Sequence, residues 1–189
     1  MEEKSPAGTA ALAAGRLRIF SLHLDFPASA RARWAEQTIK KLAGRHWLCS
    51  AEMWQLESLN TASSIRKMLQ EEAAQADVLI IAVSSLARRE MELVHWLDTL
   101  ANCGAVRRNA GLLIGLLGDE TQPAGELDWT VKRLMNCARN THRDFIWHWM
   151  EESASGEPEW LVTHLETFLA RKLATLDLHS FEEPATEFA

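Results

Sequence analysis

The chain has 189 residues, with 20 basic and 26 acidic side chains and a net charge of −6. A chain of this length buries roughly 70% of its unfolded surface on folding, so it can form a core without disulfides or metal. Its three unpatterned cysteines argue against a secreted disulfide framework, and its acidity without Lys/Arg runs argues against nucleic-acid binding. It lacks the stretch of about 20 apolar residues that a membrane span requires. We therefore expect a cytoplasmic protein that binds neither nucleic acid nor membrane.

The two ends of the chain differ in composition from the middle. Residues 1–15 combine acidic residues, Pro6 and Gly8 with a short alanine run, and predict a flexible arm. Residues 178–189 carry three glutamates around Phe181 and Phe188, and predict an acidic tail. The segment 16–177 is expected to form one α/β domain.

Within that domain, short apolar runs alternate with longer segments of helical period. The predicted strands, in chain order, are Arg16–Leu24, Trp47–Leu56, Val78–Val83, Ala110–Leu117 and Asp144–Met150. After each strand, apolar residues spaced by three and four predict a helix. The first of these helices is expected to end at Gly44, the second to be capped by Ser63 or Ser64, the fourth by Asp128, and the last to begin near Pro158.

The third and fourth strands are apolar throughout, which is typical of strands covered by helices on both faces. Five strand–helix pairs in alternation predict a parallel sheet with right-handed crossovers, in a three-layer α/β/α sandwich. At this size the expected strand order is 2-1-3-4-5. The pattern across residues 16–177 resembles the flavodoxin-like superfamily at the level of topology.

The segment Ala76–Leu100 resembles the corresponding part of NAD(P)H-dependent FMN reductases, in which a strand beginning Ala-Asp leads through a loop to a Trp-bearing helix. The resemblance implies FMN at the loops after strands 1 and 3. However, Ser84, Ser85, Leu86 and Ala87 replace the Pro-Glu-Tyr-Asn loop of that family, and the loop Asp25–Arg31 has no glycine. We therefore expect no cofactor, with FMN as the alternative.

The chain also resembles response-regulator receiver domains, because Asp25 directly follows the first predicted strand. Receivers carry a phosphoacceptor Asp at the end of strand three and a Lys at the end of strand five. Ser84 and Trp149 stand at those two places. Aspartyl phosphorylation is therefore not expected, although a receiver-like domain used for protein contacts stays open.

One feature of the sequence favours a binding site. It lies at the predicted switch point, where the winding of the sheet reverses between strands one and three and the first and third helices begin side by side. Helix N-termini and guanidinium groups both attract a phosphate or carboxylate. The candidate anion site consists of Ser29, Arg31, Arg33, Ser84, Ser85, Arg88 and Arg89. The alternative is an ordinary solvated surface, on which Asp25 and Glu90 neutralise part of the charge.

The sequence gives less support to a serine nucleophile or a metal site. Ser84 and Ser85 lack the flanking glycines of a nucleophile elbow. The pairs His46 with Cys49 and His142 with His148 lack the further ligands that zinc requires. We therefore expect no catalytic residue and no metal site.

The chain has eight tryptophans and no tyrosine. Four of the tryptophans, Trp47, Trp54, Trp147 and Trp149, lie on or beside the predicted edge strands, where they would either shield the edge or form a contact face. A homodimer through strand five and the last helix is the leading interaction hypothesis. The sequence thus favours a non-catalytic protein that acts through protein–protein contacts, as an assembly or regulatory module. The alternative is a small FMN- or nucleotide-binding oxidoreductase that uses the loops after strands 1 and 3.

Overall fold

The computed structural model describes residues 15–44, 46–60, 63–84, 90–102, 111–118, 124–149 and 159–179. Within these ranges the chain alternates strands and helices as expected. The strands are β1 (Gly15–His23), β2 (Trp47–Gln55), β3 (Val78–Val83), β4 (Gly111–Leu117) and β5 (Arg143–Trp149). The helices are α1 (Phe26–Ala43), α2 (Ser63–Gln75), α3 (Glu90–Asn102), α4 (Ala124–Asn140) and α5 (Glu159–His179), with a short 3-10 turn at Leu56–Asn60 after β2. Each predicted strand is confirmed to within one residue at either end.

The five strands form one sheet in the order β2-β1-β3-β4-β5, and every neighbouring pair is parallel. The predicted α/β architecture and strand order are therefore confirmed. In register, Ile19 of β1 lies beside Val78 of β3, and Val78 lies beside Leu112 of β4. Because the strands are parallel, the chain leaves all of them at one edge of the sheet, which we call the carboxyl edge. It enters them at the opposite edge, the amino edge.

Two apolar clusters form the core, one on each face of the sheet. On one face α1 and α5 cover alternate residues of the central strands, including Ile80 and Ile114. On the other face α2, α3 and α4 cover the intervening residues, including Leu79 and Leu113. All of β3 and β4 is buried, which agrees with their continuous apolar sequences. Burying one of these aliphatic side chains on folding stabilises the fold by roughly 1.5–3 kcal/mol.

Close packing explains one glycine in the middle of β4. A Cβ atom on Gly115 would lie 3.2 Å from Cδ1 of Leu134 on α4 and 3.3 Å from Cβ of Trp147 on β5. The absent side chain therefore lets α4 and the β5 edge approach the sheet.

Three apolar side chains on α2 and α4 do not face the sheet. Ile65 and Met68 on α2 and Met135 on α4 are each more than a third exposed. Their helices turn Leu69, Ala73, Leu134 and Ala138 toward the sheet instead. No helix in the described ranges is both long enough and apolar enough to span a membrane.

Candidate functional site

The candidate site lies where β1, β3 and β4 end beside one another at the carboxyl edge. The amide of Leu24 donates to the carbonyl of Ala82 at 3.1 Å, and the amide of Gly118 donates to the carbonyl of Val83 at 2.9 Å. These hydrogen bonds continue the parallel pairing just past the strands. The register therefore places Asp25, Ser84 and Gly118 next to one another at the end of the sheet.

Asp25 caps the N-terminus of α1. Its backbone is extended, and its Oδ1 accepts a hydrogen bond from the amide of Ala28 at 2.8 Å. Its carbonyl accepts from the amide of Ser29 at 3.0 Å. Pro27, in the first turn, has no N–H to offer. An N-cap aspartate followed by proline in the first turn is a standard helix start, and it explains why α1 begins at Phe26.

Two members of the predicted anion site, Ser29 and Arg33, lie on this first part of α1. The Ser29 hydroxyl donates to the carbonyl of Phe26 at 2.7 Å, so it is turned back onto its own helix. Arg33 is exposed, and its positive charge acts to lower the pKa of His23 at the end of β1. Burial lowers the pKa of His23 and Arg33 acts in the same direction, against the opposing effects of its hydrogen bond to the Asp25 carbonyl and of the Asp25 charge.

Arg31 crosses from α1 to the end of β4, where its guanidinium donates to the carbonyl of Gly118. Gly118 has a φ of 94°, a conformation that glycine adopts at no steric cost. A side chain at this position would overlap the ring of Trp149 from β5. Arg31 from α1 and Trp149 from β5 therefore both contact the end of β4.

Ser84 follows β3 and lies between Asp25 and Gly118 in register. It is only 6% exposed, and within the part of the chain that the structure describes its hydroxyl has no hydrogen-bond partner. Of the seven predicted anion-site residues, Ser85, Arg88 and Arg89 lie outside the described residues. The structure brings Arg31 to the strand ends next to Ser84, whereas the Ser29 hydroxyl is occupied elsewhere. An anion site formed by the full set stays a prediction.

Large apolar side chains are exposed where α1 and α3 begin. Phe26, the first residue of α1, is 85% exposed, and Met91, the second residue of α3, is 77% exposed. Both helices start at the carboxyl edge. Exposed apolar side chains at this edge offer contact area to a ligand or a protein.

The β5 edge of the sheet also carries aromatic side chains. Trp147 is 39% exposed, and the rings of His148 and Trp160 stack in parallel, 4.5 Å apart and 3° from coplanar. Trp149 is half-buried against the core. At the other edge Trp54 is half-buried, whereas Trp47 is 5% exposed and belongs to the core. The edge tryptophans therefore differ in exposure, and Trp147 is the most exposed of these four.

Sequence reasoning missed a set of buried charges at the amino edge. Asp77 lies within 2.8 Å of Lys172 on α5, and Arg143 donates to the carbonyls of Ala73, Ala74 and Ala76 where α2 ends. The lone polar residue just before the apolar run of β3 was the available signal, because an Asp at such a position needs a partner. Among the described residues, no group of three or more His, Cys, Asp or Glu side chains comes together as metal ligands.

No protein-family model and no curated protein matches the chain. Solved structures do. An oxidoreductase from Corynebacterium diphtheriae superposes with a TM-score of 0.52 at 14% identity, over 86% of this chain and 98% of that one. The chain has a flavodoxin-like fold.

Two further structures are similar to this flavodoxin-like chain. A short-chain flavodoxin associated with a non-canonical PDU bacterial microcompartment has a TM-score of 0.52 at 11% identity, over 85% of this chain and 98% of that one. The apo form of an NADH:FMN oxidoreductase has a TM-score of 0.52 at 14% identity, over 90% of this chain and 93% of that one. At these identities the similarity establishes the fold, and the resemblance predicted from the sequence is confirmed at that level.

Proposed function

We propose that this flavodoxin-like protein acts through protein–protein contacts, as an assembly or regulatory module, and that it forms a homodimer through β5 and α5. The observation that carries the proposal is the exposed Trp147 on an edge strand. Tryptophan is enriched in protein interfaces because it buries a large area at a small cost in conformational entropy.

The exposed side chains of the two edge strands favour β5 over β2 as the contact face. On β2 the exposed side chains are Leu48, Ser50 and Glu52, of which one is apolar. On β5 the exposed Trp147 lies on the α4 side of the sheet, and His148, stacked on Trp160 of α5, lies on the other side, so aromatic side chains stand on both sides of this edge strand. A two-fold axis beside β5 would pair the two copies of this strand antiparallel and would remove the open sheet edge.

Light scattering tests the dimer directly. We expect a mass of two chains at micromolar concentration for the unmodified protein, and a mass of one chain for Trp147→Glu. Leu48→Glu is the matched control, because it places the same charge at an exposed apolar position of the other edge strand, and it should leave the dimer intact. A monomeric unmodified protein would contradict the proposal. So would a dimer that Leu48→Glu disrupts and Trp147→Glu does not.

A second candidate function is a small FMN- or nucleotide-binding oxidoreductase that uses the loops after β1 and β3. The similarity to an oxidoreductase and to an NADH:FMN oxidoreductase favours it. The described residues fit the phosphate of FMN poorly, because the carboxylate of Asp25 already occupies the N-terminus of α1. A stoichiometric yellow chromophore in the purified protein would favour this candidate over the non-catalytic one.

A further inference from the structure

The N-terminus of α1 is the place where a phosphate would bind in a parallel sheet of this kind. Helix N-termini bind phosphate through backbone N–H groups that have no partner within the helix. In a sheet of order 2-1-3-4-5, the helix after β1 begins at the switch point, where FMN binds in flavodoxin. The number of N–H groups still available at α1 therefore decides whether this end can hold a phosphate.

Few such groups are left. Pro27 has no N–H, the amide of Ala28 donates to the Asp25 carboxylate at 2.8 Å, and the amide of Ser29 donates to the Asp25 carbonyl at 3.0 Å. In the first turn this leaves the amide of Phe26. A phosphate monoester carries about two negative charges at neutral pH and would lie against the carboxylate of Asp25.

Among the described residues, the side chains of Ser29 and Arg31 do not replace the missing donors. The Ser29 hydroxyl donates to the Phe26 carbonyl, and the Arg31 guanidinium donates to the Gly118 carbonyl on the far side of β3. Burial lowers the pKa of His23, which favours the neutral imidazole beside Asp25. Among these described side chains, Asp25 thus carries negative charge, and the donors of Ser29 and Arg31 already have partners.

We infer that the carboxylate of Asp25 takes the place of a bound phosphate, and that this closes the N-terminus of α1 to phosphate monoesters, including FMN. Ligands accepted at the carboxyl edge are then recognised without a phosphate at this helix. The inference is independent of the proposed dimer, because α1 begins at the switch point and the proposed contact face lies on β5 and α5.

Asp25→Gly and Asp25→Ala test the inference in the full chain. Both replacements remove the negative charge and free the amide of Ala28, and glycine costs little as an N-cap residue. Glu166→Gln is the matched control, since it removes one negative charge from an exposed position on α5. Thermal unfolding is measured in potassium phosphate and in potassium chloride of equal ionic strength. Phosphate stabilises proteins in general. For each protein we therefore take the rise in melting temperature in phosphate over that in chloride and subtract the rise measured for Glu166→Gln. This difference is the excess stabilisation.

We expect no excess for the unmodified protein and a saturable excess for both Asp25 variants. A saturable excess in the unmodified protein would overturn the inference, as would Asp25 variants that respond no more than Glu166→Gln. Titration of the unmodified protein with riboflavin and FMN gives a second readout. Binding of both flavins with equal affinity, or of neither, agrees with a closed helix end. A preference for FMN of about tenfold or more would contradict it.

Discussion

The amino edge and the carboxyl edge of the sheet differ in the charges that they bury. At the amino edge, Oδ2 of Asp77 accepts a hydrogen bond from the amide of Arg18 at 2.7 Å. The other carboxylate oxygen, Oδ1, lies 2.8 Å from the ammonium of Lys172. Asp77 also joins three strands through its backbone, because its amide donates to Arg18 and its carbonyl accepts from Leu112. Nearby, Arg143 caps the last carbonyls of α2.

At the carboxyl edge the charged side chains of Asp25 and Arg31 are only partly buried. Asp25 and Arg31 have partners, but the buried hydroxyl of Ser84 has none, and Phe26 and Met91 are largely exposed. Burying a charge is costly unless it is paired, so the buried pair of Asp77 with Lys172 reflects the demands of stability. The amino edge therefore holds the fold through paired buried charges, whereas the carboxyl edge carries exposed apolar side chains.

Removing the carboxylate at the amino edge should have the largest effect. Asp77→Ala leaves the ammonium of Lys172, which is 9% exposed, without its counter-charge. We expect the free energy of unfolding to fall by about 3–5 kcal/mol, as is typical when one partner of a buried ion pair is lost. Urea unfolding measures it.

The control for Asp77→Ala is an ion pair at the surface. Glu71 pairs with Lys67 at 3.8 Å, and both side chains are more than half exposed. Glu71→Ala should change the free energy of unfolding by about 0.5 kcal/mol or less. A loss below about 1 kcal/mol for Asp77→Ala would mean that the buried pair does not hold the amino edge.

The topology could be predicted because each strand and helix carries its own local signal. The apolar run of β3 and the alternation of β5 each specify a strand without knowledge of any distant residue. Contacts between distant segments carry no such signal. Nothing in the sequence near Arg31 indicates that its guanidinium reaches Gly118, and nothing near Lys172 indicates Asp77. The start of α1 carries a local signal as well, because Asp25 followed by Pro27 is a helix N-terminus pattern.

A smaller change at the carboxyl edge should have the opposite sign. Ser84→Ala removes a hydroxyl that is buried without a partner. We expect the free energy of unfolding to stay the same or to rise by up to about 1 kcal/mol, since an unpaired buried hydroxyl costs free energy. Ser21→Ala in the middle of β1 is the control, because that hydroxyl is also buried and unpaired. A loss of more than about 1 kcal/mol at Ser84 alone would show that the carboxyl edge also holds the fold through a buried polar group.

The smallest expected effect is a pH dependence that arises at the carboxyl edge. Burial lowers the pKa of His23 in the folded protein, with Arg33 acting in the same direction and Asp25 in the opposite one. The unfolded chain therefore binds a proton on this side chain at about pH 6.5, while the folded chain does so only at lower pH. Stability from this group is complete above about pH 6.5 and is lost as the pH falls through the folded pKa, because the unfolded state then binds more protons.

His23→Gln should remove this part of the pH dependence. Urea unfolding between about pH 5 and pH 8 measures it as the difference between the unmodified protein and the variant, which subtracts the titration of every other group. We expect the difference to be flat above about pH 7 and to change below about pH 6.5, in the direction that makes the variant relatively more stable in acid. A difference that is constant across the whole range would mean that His23 protonates equally in both states, and that neither burial nor Arg33 disfavours positive charge where β1 ends.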